Sequence, residues 1–132
     1  MDLDSFTGGY NRAYAVVNIE AVRRNILKSR EFLPENTGII AVIKTDAYGH
    51  GAAKVADAVK DITAGFAVAT IDEAVELREA GITSHIIVLG YISPREYAAA
   101  IEHDIILSMF DYKQACALSE LAGTMGKCGR CH

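Results

Sequence analysis

The feature that most constrains this chain is a series of short aliphatic runs that do not alternate between polar and apolar residues. The four clearest runs are residues 39–43, 66–70, 86–89 and 105–109. A strand has this pattern when both of its faces are buried, as in a parallel sheet covered by helices. A single run could be a turn of buried helix, but four runs that each precede a helix start favour parallel strands.

Polar side chains that can cap free backbone N–H groups mark three of these helix starts. The pairs, each spaced by three residues, are Thr70 with Glu73, Ser93 with Glu96 and Asp111 with Gln114. This is the spacing of a capping box or a close relative of one. Earlier in the chain, residues 13–17 predict a leading strand. An apolar stripe then predicts a helix that Pro34 closes.

The length of the chain limits how such units can be arranged. Strands spaced by roughly twenty to thirty residues suit βαβ units with right-handed crossovers. An eight-stranded barrel typically needs about 250 residues, whereas this chain has 132. We therefore predict an α/β fold with a leading strand and helix and about four strand–helix units. That is about half of a (β/α)8 TIM-type barrel or a small open parallel sheet.

Composition excludes several classes of protein. Apolar residues make up 51% of the chain and charged residues 23%, as in a globular domain. The net charge is −4 and the basic residues are scattered, which argues against a nucleic-acid partner. The acidic start lacks a signal region, and no apolar run approaches the length of a membrane span. We therefore predict a cytoplasmic protein without disulfides that binds no membrane.

Lys44 lies where the first aliphatic run ends. Functional residues of parallel α/β proteins gather at the carboxyl ends of strands. A lysine that neighbouring aliphatic residues partly desolvate there would have a lowered amine pKa and could act as a nucleophile or base. The alternative is a strand-end lysine that extends its ammonium group into solvent, which is common.

The loop after Lys44 favours a functional role for it. Gly49 and Gly51 allow the backbone to approach a ligand, and the helix that they open could offer free N–H groups to an anion. Tyr48 is either a phenol donor or an aromatic cover over the core. His50 is either a ligand contact or a satisfied residue at the helix start, and for His50 we favour the structural role.

The segment AVIKTDAYGHGA, residues 41–52, resembles the cofactor-lysine motif of the alanine racemase family, pyridoxal-phosphate enzymes with a TIM-type barrel and a C-terminal β domain. FAVATIDEAVELREAGITSHIIVLG, residues 66–90, is similar to the next two strand–helix units of that family. VNIEAVRRNI, residues 17–26, resembles its opening segment. The resemblance implies an isomerase that interconverts L- and D-alanine, a cell-wall precursor, with pyridoxal 5'-phosphate as cofactor.

The resemblance also implies roles for two residues. Lys44 corresponds to the lysine that forms the internal aldimine and then serves as one acid–base group, and Tyr48 corresponds to the tyrosine that hydrogen-bonds the cofactor phosphate. Thr45 and Asp46 stand where many members of the family have Ala-Asn. The resemblance implies no metal ligand.

Compared with the family, residues 1–132 would form only the N-terminal part of the barrel domain. The later barrel strands, the C-terminal β domain and the second acid–base residue, which a homodimer partner supplies, would be absent. The sequence stops about where a fifth strand should begin. We therefore expect the chain alone to be poorly active or inactive.

Other readings of the sequence remain open. A non-catalytic pyridoxal-phosphate carrier or regulatory protein would also place a lysine at the end of a barrel strand. Cys128, Cys131 and His132 form C-x-x-C-H, the pattern of c-type haem attachment, or half of a zinc site. We favour incidental cysteines in a helix-to-strand connection. A further reading is a structural Lys44 beside an anion site at the glycine loop.

Overall fold

The computed structural model describes residues 15–132. Its five strands are all parallel and lie in chain order across one sheet. The strands are β1 (Ile40–Val42), β2 (Gly65–Val68), β3 (His85–Val88), β4 (Ile106–Leu107) and β5 (Arg130–Cys131). The helical elements are α1 (Ile19–Arg30), α2 (Lys44–Gly49), α3 (Ala52–Val59), α4 (Ile71–Glu79), α5 (Tyr97–Glu102) and α6 (Tyr112–Met125). A short 3-10 turn, Pro94–Glu96, leads into α5.

The four aliphatic runs coincide with β1 to β4, and the predicted alternation of strands and helices is confirmed. β5 lies about where a fifth strand was expected to begin, and it includes Cys131, which the sequence analysis assigned to a helix-to-strand connection. Residues 15–17 of the predicted leading strand are not in a strand, and residues 13 and 14 lie outside the described residues.

The first helix ends earlier than predicted. The stripe suggested that it continues to Pro34, whereas α1 ends at Arg30. Beyond that point the N–H groups of Glu31, Phe32 and Leu33 bond the carbonyls three residues back, at 3.1 to 3.2 Å. Such bonds tighten the chain into a narrower turn that does not continue the helical stripe.

All three predicted helix caps form. The Thr70, Ser93 and Asp111 side chains each accept a bond from a backbone N–H of the helix that follows. Only the pair of Ser93 and Glu96 closes a full capping box. The side chains of the other two N3 residues, Glu73 and Gln114, accept instead from the N–H group of the residue before the cap.

The two faces of the sheet differ in burial. One face packs against the helices. Five of its side chains are 0% exposed: Phe66, Val68, Ile86, Val88 and Leu107. On the edge strand, Ile40 and Val42 point to the other face and are 45% and 43% exposed. Burial thus places the core between the sheet and its helices. Within residues 15–132, no helix is long and apolar enough to cross a membrane.

Arg23 fastens α1 to the end of α3. Its guanidinium donates to the Ala58 carbonyl at 2.7 Å and to both carboxylate oxygens of Asp61. The hydrogen bond from Arg23 lowers the pKa of Asp61. Because the pKa of Asp61 is lower in the folded state, this contact stabilises the fold at pH values above the pKa of the unfolded state. The contribution is lost as the pH falls through the folded-state pKa.

Gly65 permits the close pairing of β2 with β3. A Cβ atom at Gly65 would lie 2.6 Å from the His85 carbonyl oxygen, which is a backbone atom and cannot rotate away. We expect Gly65→Ala to lower the free energy of unfolding by about 1–3 kcal/mol, measured by urea denaturation.

Gly123 supplies a control of opposite sign. It lies inside α6, and a Cβ atom there meets nothing within 4 Å. Gly123→Ala should raise stability by up to roughly 1 kcal/mol because alanine is the better helix former. Equal effects of the two substitutions would contradict the close approach at Gly65.

Candidate active site

The carboxyl ends of the five parallel strands lie at one edge of the sheet, here called the carboxyl edge. Lys44 follows β1 at this edge. The Ile43 N–H extends the ladder by one bond to the Ala67 carbonyl, at 2.9 Å, and the Ile43 side chain is buried. The residue before Lys44 is therefore fixed by both the sheet and the core, as the sequence analysis predicted for a strand-end lysine.

The segment after Lys44 makes a left-handed helical turn. Four consecutive residues other than glycine, Thr45, Asp46, Ala47 and Tyr48, have φ between 52° and 56° and ψ between 38° and 51°. Such a conformation costs roughly 1–2 kcal/mol per residue for L-amino acids, which normally adopt it singly. Strain of this kind persists only where surrounding contacts enforce it, and it is concentrated at functional sites.

Two further backbone positions complete the turn. Gly49 and Gly51 have φ of 81° and 88°, a region that glycine reaches without strain. The Gly51 N–H donates to the Asp46 carbonyl at 3.0 Å. The Asp46 carboxylate accepts from the Ala52 N–H, the first of α3, at 2.7 Å. The Ala52 N–H is one of the groups that the sequence analysis expected to be free to bind an anion. It is already hydrogen-bonded to Asp46.

The other end of the turn is held by α4. The Glu73 carboxylate accepts from the Thr45 N–H at 2.6 Å and from the Ala69 N–H at 2.7 Å. From the sequence, Glu73 was expected only to take part in the cap at Thr70. The three-residue spacing that predicts this cap gives no indication of the contact with Thr45, 28 residues away. The left-handed turn likewise left no signal in the sequence beyond its two glycines.

His50 has a structural role in this arrangement. Its Nδ1 atom lies 2.8 Å from the Ala47 carbonyl oxygen and 3.2 Å from that of Tyr48. Because carbonyl oxygens only accept, Nδ1 carries the proton. His50 therefore closes the end of the left-handed turn, in line with the structural role favoured from the sequence.

The two side chains of the predicted site lie on this turn. Lys44 is half-buried, and its Nζ has no hydrogen-bond or ion-pair partner among residues 15–132. Tyr48 lies four residues further on and is 60% exposed. Lys44 thus precedes the left-handed residues of the turn, and Tyr48 is the last of them.

Two clefts flank the turn, and Lys44 lines neither of them. The apolar cleft, of about 320 Å³, lies between α1 and β1 and includes Tyr48. The more polar cleft, of about 520 Å³, is lined in part by Asp46, His50 and Lys54. The position of the Lys44 amine, rather than either cleft, therefore defines the candidate site.

Ser108 and His132 lie close together where β4 and β5 end. Ser108 Oγ donates to the Val88 carbonyl at 2.8 Å and lies 3.0 Å from His132 Nε2. Cys128 and Cys131 are exposed and not joined in a disulfide. Within residues 15–132 no group of three or more histidine, cysteine or acidic side chains could hold a metal ion.

Comparison with known proteins places this geometry in a family. The profile described as "Alanine racemase, N-terminal domain" matches residues 17–132. Alanine racemase 2 of Oceanobacillus iheyensis is 37% identical over 128 residues, which cover 95% of this chain and 32% of that protein. The alanine racemase of Desulforamulus reducens is 38% identical over 120 residues, which cover 90% and 32%. The chain thus spans about a third of the length of these curated relatives.

Solved structures agree with the sequence matches. The alanine racemase of Clostridium difficile 630 in complex with cycloserine superposes with a TM-score of 0.81 at 35% identity, covering 83% of this chain and 30% of that one. The histidine racemase of Leuconostoc mesenteroides subsp. sake superposes with a TM-score of 0.77 at 29% identity, covering 86% and 30%. The predicted fold class, the N-terminal part of a TIM-type barrel, is confirmed. The chain belongs to the alanine racemase family, since residues 17–132 match the model of its N-terminal domain.

Proposed function

We propose that the whole protein is a pyridoxal-phosphate-dependent alanine racemase and that these 132 residues supply the lysine that binds its cofactor. The observation that carries the proposal is the position of Lys44, on a strained turn at the carboxyl edge in a chain of this family. The names of the curated relatives support alanine as the substrate. The sequence analysis also predicts that the enzyme acts in the cytoplasm.

Pyridoxal phosphate fits the residues at this edge. When bound, it supplies an electron-withdrawing ring that makes the Cα hydrogen of an attached amino acid acidic. Lys44 would hold it covalently through Nζ, an amine that is half-buried and has no partner among residues 15–132. The exposed phenol of Tyr48 would donate a hydrogen bond to its phosphate.

Lys44 would also move a proton. Its neutral amine can accept the Cα proton from one face of the substrate, and the protonated amine can return one to that face. Inversion needs a second acid–base group on the opposite face. We propose that the C-terminal domain of the other subunit in a homodimer supplies it, because this chain spans only about a third of the length of its curated relatives.

Mapping the cofactor attachment tests this proposal. The purified chain is mixed with pyridoxal phosphate, reduced with borohydride and digested, and the labelled peptide is identified by mass spectrometry. We expect label at Lys44 in preference to the other lysines, because the turn fixes its amine at the carboxyl edge. Lys54 and Lys60, which are exposed on or beside α3, serve as internal controls.

Label spread evenly over all lysines would contradict the assignment of Lys44 as the cofactor lysine in this chain.

Exchange of the alanine Cα proton in D₂O distinguishes a racemase from a non-catalytic carrier. Stoichiometric cofactor binding by the whole protein without such exchange would favour the carrier reading over the racemase.

A further inference from the structure

The Glu73 carboxylate joins the ends of two neighbouring strands. Oε1 lies 2.6 Å from the N–H nitrogen of Thr45, the first residue after Lys44, and Oε2 lies 2.7 Å from that of Ala69, which follows β2. Neither N–H makes another hydrogen bond within residues 15–132. The carboxylate is therefore the single described link between these two backbone positions.

The position of Glu73 is itself fixed by its helix. Glu73 lies in the first turn of α4, and its own N–H donates to the Thr70 side chain at 3.2 Å. On the same helix, Ile71, Ala74 and Leu77 are buried in the core. The carboxylate is thus attached to a packed helix and reaches back across the carboxyl edge, so it can transmit the position of that helix to the turn.

Only a carboxylate of this length meets both demands. Each oxygen faces a backbone N–H, so two acceptors are required, and a carboxylate provides both. Glutamine has nearly the same shape but presents an NH₂ group to one of the two N–H donors. Aspartate has both acceptors but is shorter by one methylene group, so it cannot span the same two positions.

The Thr45 bond lies at the start of the left-handed turn. Thr45 has φ of 54° and ψ of 51°, and it is the first of the four strained residues that separate Lys44 from the end of the turn. Asp46 holds the far end of the turn through the Ala52 N–H. Loss of the Glu73 contact would leave the Thr45 N–H without a partner among residues 15–132, and the bond from Ile43 to Ala67 would remain as the nearest link of the lysine end to β2.

We propose that Glu73 is a positioning residue for the cofactor lysine: by bonding the Thr45 and Ala69 N–H groups, it sets the direction in which Lys44 and Tyr48 project from the carboxyl edge. This role rests on the proposed function of Lys44. The hydrogen bonds through which Glu73 acts do not depend on that function and can be measured without cofactor.

The test compares Glu73→Gln with Glu79→Gln in the 132-residue chain. Glu79 is the matched control, an exposed carboxylate on the same helix with no side-chain bond within residues 15–132. Amide hydrogen exchange by NMR, without cofactor, reports on the two bonds. We expect exchange of the Thr45 and Ala69 amides to accelerate by roughly tenfold or more in Glu73→Gln and to stay unchanged in Glu79→Gln.

Borohydride-trapped labelling by pyridoxal phosphate supplies the second readout. Glu73→Gln should reduce the preference for Lys44 over the other lysines, because the amine would no longer be held in one direction at the carboxyl edge. Glu79→Gln should leave this preference unchanged. An unchanged preference for Lys44 in Glu73→Gln would overturn the proposal, even if the two amides exchange faster, because Glu73 would then be structural only.

The two proposals can fail separately. If the unsubstituted chain shows no preference for Lys44, the proposed function fails for this chain, while faster amide exchange in Glu73→Gln would still uphold the contact. If Glu73→Gln does not fold, exchange in the unsubstituted chain decides: slow Thr45 and Ala69 amides support the carboxylate bridge, and amides that exchange at the rate of exposed loops overturn it.

Discussion

Replacing Lys44 with arginine is expected to reduce covalent retention of pyridoxal phosphate to the background level of the other lysines in this chain. Arginine keeps the positive charge and a similar length, but its guanidinium stays protonated and cannot act as an amine nucleophile. Because Lys44 Nζ has no partner among residues 15–132, the substitution breaks no described contact and the fold should persist. The measurement is cofactor absorbance that remains with the protein after borohydride reduction and dialysis.

Lys54→Arg is the matched control. Lys54 is an exposed lysine on α3 that lines the polar cleft beside the turn. Its replacement should leave the retained cofactor near the level of the unsubstituted chain. Equal retention by Lys44→Arg and Lys54→Arg would show that some other lysine carries the cofactor. The assignment of Lys44 as the cofactor lysine would then be wrong.

Replacing Arg78 with methionine is expected to destabilise the fold by about 2–4 kcal/mol, because it leaves several carbonyl groups without a donor. The half-buried guanidinium bonds four backbone carbonyls at 2.7 to 2.9 Å, at the sheet edge opposite Lys44. The four acceptors are His103, Asp104, Ile82 and Ser84. Burial lowers the pKa of Arg78, which is the sign of a partly desolvated cation.

Urea denaturation of Arg78→Met and Arg95→Met tests this role. Arg95 is exposed, and its side chain makes no hydrogen bond within residues 15–132, so its replacement should change stability by less than roughly 0.5 kcal/mol. Arg78→Lys should lie between the two, because an ammonium group has three donors and lacks the planar fork. Similar midpoints for all variants would mean that solvent replaces the guanidinium at no cost.

The sheet could be predicted because its signals are local. Aliphatic runs such as residues 66–70 indicate strands buried on both faces, and each cap pair lies within three residues of sequence. The fifth strand could be expected near the end of the sequence only from the family resemblance, because Arg130 and Cys131 form no aliphatic run. The end of α1 was predicted too late because an apolar stripe does not encode where hydrogen bonding tightens at a helix end.

The candidate site could be predicted only in part. The position of Lys44 follows from where its strand ends, and the motif that contains Tyr48 carries the family resemblance. The left-handed backbone from Thr45 to Tyr48 could not be inferred, since threonine, alanine and tyrosine disfavour that conformation and aspartate normally adopts it only as a single residue. The contact from Glu73 joins two units of the sheet, and a single sequence carries no record of such a pairing.

The chain order of the strands has a consequence for biosynthesis. Every strand pairs with the strand that precedes or follows it in the chain, and successive register partners such as Ile40 and Gly65 are about 20–25 residues apart. The sheet can therefore grow one unit at a time during translation, without waiting for distant segments. Among the described hydrogen bonds of the Lys44 turn, the one from the latest residue in the chain comes from Glu73, so it can form once α4 has emerged from the ribosome and before β3 has emerged.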